Sequence, residues 1–99
     1  MSSLKQRAVL DTILSAAVRV AVVRGYRHMT RAEVAAEAQC SEAQVSAILG
    51  TMTALRRACM GAAIANEVLP VIAQGLAAGD ARARGAPLRL REAAAQAIV

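Results

Sequence analysis

The chain has 99 residues, 57% of them hydrophobic, with 25 alanines and a formal net charge of +5. That length allows one compact domain over residues 1–99 and excludes a multi-domain enzyme. With one tyrosine and neither phenylalanine nor tryptophan, the core must be built from small aliphatic pieces, too apolar for disorder yet marginal unaided.

Self-association or a partner is therefore expected. Alanine is the strongest helix former, whereas aromatic and β-branched residues favour strands, so the expected fold class is all-α. No apolar run reaches the ~18 residues of a membrane span. The longest uncharged stretches, 43–55 and 68–79, also carry polar or helix-breaking residues. The start, Leu4-Lys5-Gln6-Arg7 followed by Asp11, Arg19 and Arg24, lacks the pattern of a signal peptide. A cytoplasmic chain is expected, with Cys40 and Cys59 as reduced thiols. Neither cysteine has a Cys or His at metal-ligand spacing, so no disulfide framework, metal or cofactor is expected.

The charge is uneven. Residues 1–31 hold six basic residues against Asp11, residues 32–55 hold only Glu33, Glu37 and Glu42, and residues 56–99 carry six arginines against three acids. The basic balance suits an acidic partner such as nucleic acid, or serves a soluble surface.

In chain order, Leu10, Ile13, Leu14, Ala17, Val20 and Ala21 fall on one face of a first helix,. Ser2 or Ser3 can cap it, and Arg24-Gly25 reads as its stop. After the link Gly25-Tyr26-Arg27-His28-Met29, the run Thr30-Arg31-Ala32-Glu33 has the form of a capping box,. It opens a short helix to about Ala38. A second box, Ser41-Glu42-Ala43-Gln44, opens another helix ending near Leu49-Gly50, where glycine suits the residue after a helix,. Thr51 or Thr53 caps a fourth helix from about Met52 to Val68. Pro70 either breaks that helix or opens a new one. Val71–Leu76 has helical character, residues 79–86 read as a loop, and Pro87 opens a last helix from Leu88 to Ile98. The expected architecture is thus three helices, a long fourth helix, and one or two short C-terminal helices.

Two short capped helices separated by about three residues form the helix-turn-helix plan, here at residues 31–50. Val34, Ala35 and Ala38 face inward on its first helix, and Cys40, Val45 and Ile48 close the small core. Glu42, Ala43, Gln44, Ser46 and Ala47 face outward on its second helix. Such a helix can enter the major groove and present its N-terminal side chains to base edges.

Ile13-Leu14-Ser15-Ala16-Ala17, Arg24-Gly25-Tyr26, Thr30, Val34-Ala35, Ala38, Ser41, Gly50 and Leu55 together resemble the tetracycline-repressor family of bacterial transcription regulators. The resemblance spans Ile13 to about Ile64, half the chain. It implies a three-helix DNA-binding domain joined through a fourth helix to further helices. The chain departs from the family pattern at several places. Gln39 stands where the family has a turn glycine, at about 1 kcal/mol for a left-handed backbone. Ser46, Ala47, Ile48 and Leu49 replace aromatic residues and a histidine, Met52 replaces a phosphate-contacting lysine, and Ala21 replaces a core phenylalanine. With only residues 70–99 after Leu69, a drug-type ligand domain is not expected.

Each candidate residue has two readings. Gln44 can pair with adenine, or complete the cap begun at Ser41; Ser46 can serve any base. Arg24, Arg27, Arg31 and Thr30 can grip phosphates, which position a reader without specifying sequence, or form a solvated face. Glu42 can accept from cytosine or repel phosphate, and the acidic stretch 32–55 weakens electrostatic affinity. His28 has no Ser, Cys or acid beside it in any catalytic pattern and reads as a surface group, and Tyr26 as core. Cys40 and Cys59 behave as small hydrophobes. Met60, Ile64, Val68 and Ile72 recur every four residues, as internal core or as a homodimer seam; the seam is expected, because the chain has few ways to bury so much aliphatic surface alone. Arg82, Arg84, Arg89 and Arg91 form a second basic cluster, read as a solvated face.

The function expected from these residues is a DNA-binding regulator, a repressor acting as a homodimer on double-stranded DNA. Ser41, Glu42, Ala43, Gln44, Ser46 and Ala47 form its reading surface. The alternative is a protein-interaction module on a helix-turn-helix scaffold, which binds and inhibits a host regulator or enzyme. An acidic, aliphatic recognition helix without Lys or Arg favours it. No residue set supports an enzyme.

Overall fold

A computed structural model describes residues 2–97, with side chains from Lys5 onward. The chain is all-helical, with no strand among the described residues. The first helix, α1 (Ser2–Arg24), buries Ile13, Ala16, Ala17, Val20 and Ala21. Leu10 and Leu14, expected on that face, are only half-buried at its edge. Alanine at three of the five inward positions lets neighbouring helices approach closely. The cap expected at Ser2 or Ser3 rests on side chains outside the described residues. At the other end the Gly25 amide donates to the Ala21 carbonyl at 2.9 Å.

Helices α2 (Arg31–Ala38) and α3 (Glu42–Leu49) begin where the capping patterns place them. Thr30 Oγ1 accepts from the Glu33 amide while Glu33 Oε1 accepts from the Thr30 amide at 3.0 Å, a complete capping box. Gln39 closes α2 in the left-handed region, at φ 59° and ψ 46°. There the Cys40 amide reaches back to the Ala35 carbonyl at 2.9 Å and the Gln39 amide to Ala36 at 3.2 Å, the bond pair of a Schellman closure. The backbone at Gly50, after α3, has φ 77° and ψ −134°, a combination that a Cβ disfavours.

Thr51, rather than Thr53, caps α4 (Met52–Ala65) by accepting from the Ala54 amide at 3.1 Å. The helix stops three residues short of the expected Val68. Val68 donates to Ala63 at 2.8 Å and Glu67 to Ile64 at 3.2 Å, with Glu67 at φ 55°. This second Schellman closure lets Pro70 enter a new helix, α5 (Leu69–Ala78), in its first turn, where a missing amide breaks no bond,.

The expected loop at 79–86 contains a further helix, α6 (Ala81–Arg84). Its cap is Asp80, whose Oδ2 accepts from the Ala83 amide at 2.9 Å. With α7 (Leu88–Ala97) the C-terminal part therefore has three helices after α4, against the one or two expected. Gly75 shows why α6 packs so tightly. A Cβ there would lie 2.9 Å from the Ala83 Cβ and 2.3 Å from the Met60 Cε.

The buried side chains, Ala16 and Ala86 apart, form one cluster running from Ile13 to Ala94. Leu55, Cys59, Met60 and Ala63 of α4 meet Val71 and Ile72 of α5 and Leu90 and Ala94 of α7, with Tyr26 and Met29 from the link before α2. The homodimer seam expected along Met60, Ile64, Val68 and Ile72 is corrected at two of its four positions. Met60 and Ile72 are wholly enclosed within the chain, because α5 folds back on α4 and covers that side; Ile64 and Val68 are half-buried.

Candidate nucleic-acid interface

The turn between α2 and α3 is held from inside by Val34, Ala35, Val45 and Leu49, all buried. Leu49 takes the inward place expected of Ile48, which is half-buried. The reason is spacing: Leu49 stands one full turn beyond Val45 on the same face, whereas Ile48 is rotated off it. Cys40 is half-buried in the turn. Glu42, Ala43, Gln44 and Ala47 are exposed, and Ser46 is half-buried.

The hydroxyls of the motif are engaged locally. Ser41 Oγ accepts from the Gln44 amide at 3.1 Å. The reciprocal bond that completes the box at Thr30 and Glu33 is not made by the Gln44 side chain, so the Gln44 carboxamide stays available to a ligand. Thr30 is bound to Glu33 through both its amide and its hydroxyl.

Of the arginines around the motif, two are tied to the protein itself. Arg24 is ion-paired with Glu33, and Arg31 Nη2 donates to the Gly50 carbonyl at 3.1 Å. Glu33 sits between opposing effects. Burial pushes its carboxyl up, but the bonds from the Thr30 hydroxyl and amide and from Arg24 prevail and hold it below the ordinary value. Arg19 pairs with Glu37 at 2.8 Å across the same α1 to α2 seam. Arg27 is exposed and has no acceptor among the described residues. His28 is exposed as well.

The second basic cluster does not act as one face. Arg89 forms a two-pronged pair with Glu67 at 2.9 and 3.3 Å. Arg91 Nε donates to the Ala86 carbonyl at 2.9 Å, and Arg82 Nη1 to the Arg57 carbonyl at 2.8 Å. Cys59 is fully buried, which pushes its thiol up to about 12, so it is no nucleophile at neutral pH.

The fold also assembles a cleft that residue order does not announce. Tyr26 and Arg27 from the link before α2, Thr53, Arg56 and Arg57 from α4, and Asp80 and Arg82 at α6 line a cleft of about 430 Å³. A separate apolar groove of about 780 Å³ runs along α1 and α2, lined by Val18, Val22, Val23, Ala36 and Val68. Val23 is 81% exposed and Val22 44%. No helix among the described residues is long and apolar enough to cross a membrane. Compared with protein-family models, with curated proteins and with solved structures, the chain matches none.

Proposed function

We propose that this chain is a small DNA-binding transcription regulator, a repressor that acts by occupying its site as a homodimer. The single observation that carries the reading is the exposed outer face of α3. Glu42, Ala43, Gln44 and Ala47 stand outward from a helix capped at both ends of a tight turn. A helix presented this way can lie in the major groove with its first residues on base edges. The Gln44 side chain, which makes no cap bond, is the adenine reader, and Arg27 is the phosphate contact,. The resemblance to tetracycline repressors in the first half of the chain points the same way. Two copies would join through Val22 and Val23, apolar side chains that remain at the surface beside the half-buried Val68.

Selection of random duplexes by the purified protein, followed by titration at two salt concentrations, tests the reading. The expected result is a palindrome bound far tighter than bulk DNA, with affinity falling steeply as salt rises. Absence of any enriched sequence would overturn it.

A second reading is favoured by the groove along α1 and α2. Its exposed valines are rimmed by the Arg19–Glu37 and Arg24–Glu33 pairs, which suits an amphipathic helix of another protein. In that reading the chain is an interaction module that inhibits a regulator or enzyme. Sedimentation separates the two: a monomer that selects no duplex supports the module, and a dimer bound to a palindrome supports the repressor.

A further inference from the structure

We infer that the cleft between α4, α6 and the link before α2 is a binding site for a phosphate group. Four arginines line it, Arg27, Arg56, Arg57 and Arg82, against one acid, Asp80. They come from three separate elements, so the charge concentration arises from the fold and not from a basic run in the chain. Like charges gathered in one recess repel unless an anion joins them.

Asp80 offsets only one of these four charges, and its oxygens are already engaged. Its Oδ1 accepts from the Tyr26 hydroxyl at 2.9 Å and its Oδ2 from the Ala83 amide at 2.9 Å, so both oxygens are held by structural donors. Among the described residues two buried arginine Nε–H groups have no acceptor, Arg31 outside the cleft and Arg56 in its lining. A donor in that state calls for an acceptor that the protein does not supply. Arg82 is already positioned. Its guanidinium lies across α4 at Gly61, where a Cβ would come within 3.0 Å of Nη1, and that nitrogen is anchored on the Arg57 carbonyl at 2.8 Å. A guanidinium held in place loses less freedom when it takes an anion.

The ligand class follows from these features. Several guanidinium forks and the Thr53 hydroxyl suit the oxygens of a phosphate better than a single carboxylate,. The volume of about 430 Å³ lies in the range of small-molecule sites, about 300–1,000 Å³, and leaves room for an organic group behind the phosphate. The same chemistry could come from a phosphorylated small molecule or from the backbone of a nucleic acid.

The test is titration of the full chain with inorganic phosphate and pyrophosphate at low ionic strength, read by calorimetry and by the arginine Nε–H resonances. Saturable binding of one anion per chain is expected, with the Arg56 Nε–H signal displaced. Arg57→Ala keeps the backbone carbonyl that anchors Arg82, and should weaken binding by roughly tenfold or more. Arg84→Ala, outside the cleft, should leave it unchanged. Binding that never saturates, or equal weakening by both variants, overturns the site.

A short duplex added to the pyrophosphate-saturated protein identifies the source of the phosphate. Displacement of the anion assigns the cleft to a nucleic-acid backbone, whereas joint binding assigns it to a small phosphorylated ligand; both uphold the site. A protein that ignores every duplex yet binds pyrophosphate loses the regulator reading and keeps this one.

Discussion

The Tyr26 hydroxyl donates to Asp80 Oδ1 at 2.9 Å, tying the link before α2 to the cap of α6 across 54 positions of sequence. The same residue's amide donates to Gln74 Oε1 at 2.7 Å, so the chain's one tyrosine fastens the link before α2 to the C-terminal helices. Burial pushes the phenol well above its ordinary value, and the Asp80 bond adds to the effect, so the group stays a donor at every physiological pH.

Replacing Tyr26 with phenylalanine keeps the ring packed and removes only that donor. The Asp80 oxygen is left without it, and a loss of about 1–3 kcal/mol is expected. Urea unfolding should show a lower midpoint at an unchanged slope. An unaltered midpoint would mean that the bond contributes nothing to the join.

Gln39 is a second lever, of opposite sign. Its left-handed backbone closes α2, and glycine takes that conformation without the Cβ clash. Gln39→Gly should stabilise the fold by roughly 0.5 kcal/mol, the relief of strain less the added freedom of the unfolded chain. A fall in the thermal midpoint would contradict this account of the turn.

On the proposed DNA-binding reading, Gln44→Ala should relax preference at one base position, by about 1–3 kcal/mol of discrimination. On the same reading, Arg27→Ala should weaken all sequences alike and reduce the salt slope by about 1. Arg31→Ala should act differently, lowering stability, because its guanidinium holds the Gly50 carbonyl at the end of α3. Parallel binding and unfolding titrations of the three variants check this division.

The carboxylates of Glu33 and Glu67 are both held below their ordinary value of 4.5, Glu67 by its bonds to Arg89. A depressed folded-state value means that the unfolded chain takes up protons first as pH drops. The stabilisation is therefore complete above pH 4.5 and is lost as pH falls through the lower, folded values. Glu33→Gln should flatten the acid side of the stability profile. A variant as acid-sensitive as the parent would remove Glu33 from the explanation.

The sequence by itself determined the all-helical class, the starts of α2, α3 and α4, and the placement of the turn between α2 and α3. Caps are exchanges of hydrogen bonds over three residues, so Thr30 with Glu33 and Ser41 could be read directly, whereas the choice of Thr51 over Thr53 came from the structure. Asp80 is a cap of the same kind. It went unread because the glycines and arginines around it have the composition of a loop, and because α6 owes its stability to burial of Ala83 beneath Gly75.

Which faces are covered was decided by the tertiary structure. Periodicity placed Met60, Ile64, Val68 and Ile72 on one side, but it could not say that α5 would fold over that side and leave Val22 and Val23 outside instead. Charge behaved likewise. A count of arginines cannot foresee that Arg24, Arg31 and Arg89 find acceptors within the protein while Arg27 and Arg57 meet in one cleft. Local bonds act over a few residues and are written in their order, whereas burial and electrostatics depend on distances that exist only once the helices have packed.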